Sequence, residues 1–266
     1  PFNQNTKISL TPAFVNSFMN ADEVKELEIY VGDSTHIFLG SGKTFQNLKK
    51  LVINGRSIKF IKRHDFANLS KLKELTVGVQ YSSNQITFIP EDTFFDLPAL
   101  ETLIIGRSHL QTLPPNLFLL SNNLIELELE SNKQLTQIPD DLFKNTQKLK
   151  KLDISRSSNF ELKENSSWSL PDLEELALES SNLLELPENL LANPQKLKKL
   201  DFSHNKIKKL EKKFKEKIPE LEVLDLGGNP LELDRDSFTE LSKLKQLHLL
   251  DCGLKSLPEG IFNSLI

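Results

Sequence analysis

Three side chains able to do hydrolytic chemistry crowd into one short stretch, LKKLDFSHNKIKKL from Leu197 to Leu210: Asp201, Ser203 and His204. A carboxylate, an imidazole and a hydroxyl form a nucleophile only when the imidazole takes the hydroxyl proton, the carboxylate orients the imidazole, and backbone donors await the oxyanion. The same stretch reads differently beside LEVLDLGGNPLEL from Leu221, LKQLHLLDCGLKSLP from Leu244, LEELALESSNLLELP from Leu173, LIELELESNKQLTQIP from Leu124 and LETLIIGRSHLQTLP from Leu100. All fit L-x-x-L-x-L-x-x-N-x-L-x-x-L-P. There Asp201, Ser203 and His204 are positions 5, 7 and 8, and LDFSHN is matched by LDISRS and LDLGGN. They are expected to face solvent from one side of a repeating strand, with nothing to build an oxyanion hole, so no catalytic residue is assigned.

Other catalytic and metal-binding patterns are as thin. His36, His64, His109, His204 and His248 show no zinc-protease spacing. The single cysteine, Cys252, cannot make a structural zinc site or an internal disulfide framework. It is expected half-buried at a turn, either unpaired or in an intermolecular disulfide. The scattered glycines form no phosphate-cradling loop. No metal and no cofactor is implied, and the chain is not read as an enzyme.

The element that must position these side chains is the repeat. Its first position recurs at Val24, Leu48, Leu72, Leu100, Leu124, Leu149, Leu173, Leu197, Leu221 and Leu244, at spacings of 24, 24, 28, 24, 25, 24, 24, 24 and 23. A near-constant period in this range is the mark of a leucine-rich repeat solenoid. The L-x-L end of each unit alternates with the period of a strand, leucine inward. About ten such strands, in repeats of about 24 residues, should stack into a parallel sheet on the concave face of a curved α/β horseshoe.

A second apolar column lies six residues before each new repeat: Phe66, Phe94, Phe118, Phe143, Leu191, Phe238 and Phe262, with Phe214 offset by one. It accounts for seventeen Phe against two Tyr and one Trp, as a spine under the outer face. The ninth position, which closes the turn, is Asn132, Asn205 and Asn229 but Ser108, Ser157, Ser181 and Cys252 elsewhere. The 28-residue unit carries an insertion at Val79–Ser83, just after its strand.

Composition sets outer limits. With 266 residues, 38% hydrophobic and 26% charged, the chain can bury the core of one large domain. A net charge of −4 implies no whole-molecule attraction to nucleic acid or to an anionic membrane. There is no apolar run long enough to span a bilayer, and the opening PFNQNTKISL lacks the basic and apolar regions of a signal peptide.

The segments IPDDLFKNTQKLKKLDIS, LPENLLANPQKLKKLDFSHNKIKKL and LPEGIFNSL resemble extracellular leucine-rich repeats and are most similar to those of insect Toll-type receptor ectodomains. The resemblance runs over nearly the whole chain from Val24. It implies a non-enzymatic recognition module, extracellular or at the cell surface, that binds a protein ligand or co-receptor in innate immunity or development. Toll receptors add cysteine-rich caps, a membrane span and a signalling domain, none of which is found in residues 1–266. The expectation is one leucine-rich repeat domain over 1–266, with a partial first repeat in 1–23 and the whole forming part of a larger ectodomain. The alternative is a secreted or assembly protein that stacks with other subunits in a homo- or hetero-oligomer, or a cell-adhesion repeat protein.

Candidate binding residues follow from the repeat positions. Tyr30, Val52, Ile104 and Ile125 put apolar side chains at concave positions that usually face water, and Tyr81 lies in the inserted loop. Glu128, Asp153, Asp201 and Asp225 form an acidic column. Around it Glu126, Glu130, Glu174, Glu175 and Glu179 alternate strand by strand with Lys150, Lys151, Lys198 and Lys199, which is either a self-neutralising ladder or a ligand surface. The convex segment from Lys206 to Lys217 holds seven lysines, either a solvated face or an anion-binding patch. Sequons at Asn68 and Asn165 fall on returning segments, where a glycan would leave the sheet open.

Overall fold

The computed structural model of the chain describes residues 6–8, 23–37, 45–78 and 83–265. Among them, eleven strands form one sheet: β1 (Thr6–Ile8), β2 (Glu26–Tyr30), β3 (Lys50–Asn54), β4 (Glu74–Val77), β5 (Thr102–Ile105), β6 (Glu126–Glu128), β7 (Lys151–Asp153), β8 (Glu175–Ala177), β9 (Lys199–Asp201), β10 (Val223–Asp225) and β11 (Gln246–His248). They lie side by side in chain order, and every pair is parallel. Ten match the repeats counted from Val24. The eleventh, β1, comes from the segment read as a partial repeat.

Register follows the leucines. Leu27, Leu51, Leu75, Leu103, Leu127, Leu152, Leu176, Leu200 and Leu224 sit opposite one another across the sheet and are at most 2% exposed. Their flanking residues point the other way, as the two-residue strand period requires. The returning segments are mostly turns. Among the described residues the helical elements are single turns, at Arg63–Phe66, Asp140–Phe143 and α1 (Lys212–Lys215).

The spine lies beneath those turns. Phe66, Phe94, Phe118, Phe143, Leu191, Phe214 and Phe238 are at most 2% exposed. Phe262 continues the column, stacked on Phe238 at 6.1 Å, but stays 42% exposed. Between the levels of Phe143 and Leu191 the place is taken by Trp168, fully buried and edge-on to Phe143 at 5.5 Å. Successive rings Phe66, Phe94 and Phe118 are 6.1 and 6.2 Å apart. Strands in a sheet lie about 4.8 Å apart, so the coil curves with the sheet inside.

Each strand ends in a tight turn. Its eighth position is left-handed in seven consecutive repeats: Arg107, Ser131, Arg156, Ser180, His204, Gly228 and Asp251 all have φ between 49° and 69°. The ninth position then ties its repeat to the one before. Asn132 Nδ2 donates to the carbonyls of Ile105 (2.9 Å) and Leu129 (2.7 Å), and Asn229 does the same to Phe202 and Leu226 (both 2.9 Å).

Asn84 belongs to the same column. It is fully buried, accepts from Ile86 N at 3.0 Å, and lies so close to Gly78 (φ 79°) that a Cβ there would meet its amide at 2.1 Å. Serine serves less well: Ser181 Oγ reaches carbonyls only at 3.2 and 3.3 Å, and the buried Ser157 hydroxyl bonds nothing. Cys252, expected half-buried, is 4% exposed with its Sγ 3.3 Å from Leu226 O, and burial raises its thiol pKa.

Candidate interaction surface

The local turn explains Asp201, Ser203 and His204. Asp201 Oδ1 accepts from Ser203 N at 3.0 Å and from Ser203 Oγ at 2.6 Å. The serine was expected to face solvent. It is only 7% exposed, because the strand-ending turn folds it under its own carboxylate. His204 takes the left-handed position and its ring lies over Gly228, so the hydroxyl donates to the aspartate instead of an imidazole. The motif recurs without chemistry: Asp153 Oδ1 accepts from Ser155 N at 2.8 Å and Asp225 Oδ1 from Gly227 N at 2.9 Å. Three members of the acidic column thus cap the amides that end their strands. Asp225 also meets His248 Nδ1 at 2.9 Å. Among the described residues, no group of three or more His, Cys, Asp or Glu is placed to hold a metal.

The concave charges form cross-strand pairs. Lys50 meets Glu74 at 2.6 Å, Lys73 meets Glu101 at 2.6 Å, and Glu174 lies between Lys150 (2.9 Å) and Lys198 (3.1 Å). Lys199 meets Glu175 at 2.5 Å, Lys245 meets Glu222 at 2.8 Å, and Arg156 meets Glu130 at 2.8 Å. Lys151 is shared by Glu126 (2.7 Å) and Glu128. Burial works against its charge, but the two carboxylates prevail and raise its pKa. Burial also raises the pKa of Glu128, with Glu126 and Asp153 adding like charge beyond what Lys151 offsets. Each exposed pair contributes at most about 1 kcal/mol. Their larger effect is to leave this part of the sheet electrically self-satisfied.

One part of the sheet breaks the charge pattern. Val52, Thr76 and Ile104 stand in register on β3, β4 and β5 at the fifth position of their repeats, all half-buried. Glu28 borders the run on β2 and Glu128 on β6. Ile125, just before β6, is 37% exposed, and Tyr30 at the end of β2 is 44% exposed with its hydroxyl donating to Glu28 Oε1 at 2.6 Å. The structure therefore joins Val52 and Ile104 through Thr76, which the search for apolar residues passed over. It puts Ile125 just before the next strand, level with Glu101 and three residues before the level of Ile104, Tyr30 at the near corner, and Asp153 and Asp201 farther along in their capping role. Tyr81 and residues 79–82 of the insertion lie outside the described residues.

The convex lysines are not an open cationic patch. Lys208 meets Glu232 at 2.8 Å, Lys209 meets Glu211 at 3.0 Å, Lys213 meets Glu188 at 3.1 Å, and Lys212 lies 3.7 Å from Glu216. Lys217 donates to Asn189 Oδ1 at 2.6 Å. Lys215, on what was read as a solvated or anion-binding face, is 3% exposed: its ammonium donates to the carbonyls of Asp236 and Ser237, both at 2.8 Å, and burial lowers its pKa. The spine is offset by one here, so Phe214 fills the aromatic level and Lys215 clamps the next turn. Asn68 and Asn165 are both exposed on returning segments, away from the sheet.

The comparisons with known proteins agree with this architecture. A model of the BspA type leucine rich repeat region matches residues 42–166, in six copies, and a second leucine rich repeat model matches 171–231 and 197–254. No curated protein sequence matches significantly. Among solved structures, Toll from the Toll–Spatzle complex of Drosophila is similar over 97% of this chain and 36% of its own, with 20% identity and a TM-score of 0.67. The APL1 leucine-rich repeat domain is similar over 91% of this chain and 65% of its own, with 22% identity and a TM-score of 0.67. The chain thus spans about a third of that Toll chain and under two thirds of the APL1 domain. Among the described residues no helix is long and apolar enough to cross a membrane. Carried by repeat models that together run over 42–254 and by a single parallel coil like that of the Toll ectodomain, the conclusion is that this chain belongs to the leucine-rich repeat family.

Proposed function

We propose that the chain is a non-enzymatic recognition module, extracellular or at the cell surface, that holds a protein ligand or co-receptor against the concave sheet. One observation carries the reading. Val52, Thr76 and Ile104 make an uncharged run across three strands, with exposed Tyr30 at its near corner and exposed Ile125 just before the next strand, in a sheet where many of the other charges are paired across strands. Apolar side chains without a structural task, on a rigid surface, are what interface centres are made of. Two further facts support it. Toll, which shares the fold, was solved in complex with Spatzle, and that complex is described as a hub in Drosophila development and innate immunity. N-glycans at Asn68 and Asn165 would project from returning segments and leave the sheet clear.

The test begins with secreted proteins screened by surface plasmon resonance. For any binder, Val52→Glu and Ile104→Glu should weaken affinity about tenfold or more, as loss of a buried apolar anchor does. Lys208→Glu should not, and thermal melts should match the parent. A binder whose footprint is confined to Lys206–Lys217 would overturn this choice of surface.

A further inference from the structure

We propose that the flank carrying His36, Phe60 and Phe88 is a binding site for a neutral, linear oligosaccharide, separate from the concave surface. These three residues hold the thirteenth position of consecutive repeats once inserted residues are left out of the count, just after the chain leaves the turn. Phe60 and Phe88 are 50% and 53% exposed. Neither is needed in the core, since Phe66 and Phe94 fill the spine of the same two repeats. Later repeats put Thr112, Gln137, Glu185, Lys209 and Ser256 at that position, or half-buried Leu162 and Leu233. Single exposed apolar residues are ordinary, but large aromatic rings on adjacent turns are not.

The platform is rigid. His36 and Phe60 are joined by a backbone bridge, and their rings stack at 5.2 Å and 28°. Among the described residues no other ring lies against Phe60, and none against Phe88.

The surrounding polar groups favour a sugar over a protein. Beside the rings run Thr35, Thr87, Gln111, Thr136 and Gln137, with Gln111 Nε2 donating to Gln134 Oε1 at 3.4 Å. Through the twelfth and thirteenth positions from Thr35 to Gln137, Lys59 is the single lysine, arginine or carboxylate, on a molecule that is otherwise a quarter charged residues. Hydroxyls and amides both donate and accept, which matches a ligand that presents many hydroxyls and no charge. A pyranose has an apolar C–H face that lies on the electron-rich face of an aromatic ring. Protein interfaces recruit Trp, Tyr and Arg, none of which stands in these two columns.

Isothermal titration calorimetry of the chain with cellohexaose and with chitohexaose tests this, in low and high salt, with a heparin hexasaccharide as the charged comparison. At least one neutral hexasaccharide should bind, with an affinity that salt leaves unchanged. Phe60→Ser with Phe88→Ser should weaken it about tenfold or more, the loss that two aromatic contacts of ordinary strength supply. Phe60→Leu with Phe88→Leu, which keeps apolar bulk without a ring, should weaken it similarly. Matching melting curves will show that both double variants fold. Failure of both neutral sugars to bind, binding that survives loss of both rings, or salt-dependent binding of heparin alone would each overturn the proposal. So would self-association of the chain that the serine variant abolishes in the absence of sugar binding, since a second copy would then be the occupant.

Discussion

Asn205→Ala should be among the costliest single changes outside the leucine and phenylalanine columns. The side chain is 5% exposed. Its Oδ1 accepts from Ser181 N (2.9 Å) and Leu183 N (3.0 Å), and its Nδ2 donates to Leu178 O (2.8 Å) and Phe202 O (3.0 Å). Phe202 O keeps a second donor, Asn229 Nδ2, so three buried backbone groups are orphaned, all in the preceding repeat. Each unsatisfied group costs about 1–3 kcal/mol, and water entering the turn recovers part, which leaves a loss of about 3–5 kcal/mol. Ser181→Ala at the equivalent position removes one hydroxyl with two long contacts and should cost about 1 kcal/mol. Denaturant unfolding of both variants gives the totals, and amide hydrogen exchange locates them. The amides of Ser181 and Leu183 should lose protection in Asn205→Ala while distant strands keep theirs, because solenoid stability is summed between neighbours. Equal losses in the two variants, or unchanged exchange at those amides, would refute the ladder reasoning.

Two more outcomes are expected. Gly228→Ala should lose about 1–2 kcal/mol, since φ is 69° and the new Cβ would stand 2.5 Å from His204 Nδ1, whereas His204→Gly should hold or gain stability by relieving a left-handed non-glycine residue; thermal melts of the pair decide. The lysine bonds to Glu174, from Lys150 and Lys198, and to Glu222, from Lys245, hold both carboxyls below the usual range, so the stability they add is complete above the unfolded glutamate value of about 4.3 and fades as pH falls through their lowered folded values. Melting temperature against pH should therefore fall more gently on the acid side in Glu174→Gln than in the parent.

The inward leucines were legible because a strand alternates with period two and every coil repeats the test. The spine was legible wherever its six-residue offset held. Trp168 escaped because its repeat shifts that level by one residue, and a fixed offset lands on Ser167. Asn84 escaped for a related reason: the insertion displaces it four residues from its place in the ladder, although its contacts with Ile86 and Gly78 are those of the turn. The aspartates of the fifth position looked like a ligand-facing column, since their identity and face can be read but the bond back to an amide two residues on cannot. The apolar concave residues were found singly. That Val52 and Ile104 are joined by Thr76 depends on strand register across a 28-residue repeat, which spacing alone leaves open.

The strict neighbour-to-neighbour order of the eleven strands has a mechanical side. A pull along the axis of the coil would be borne by the inter-repeat bonds in series, every junction carrying the whole load, as links of a chain do. Rupture then follows the weakest junction and not the average one. Among the described residues, the repeat of Ser157 lacks the ninth-position staple, since its hydroxyl bonds nothing and its Trp168 indole N–H has no acceptor, while Asn132, Asn205 and Asn229 each tie their repeat to the one before. Stretched, the coil would part sooner at a level without the staple than at a stapled one, into two shorter springs each still wound.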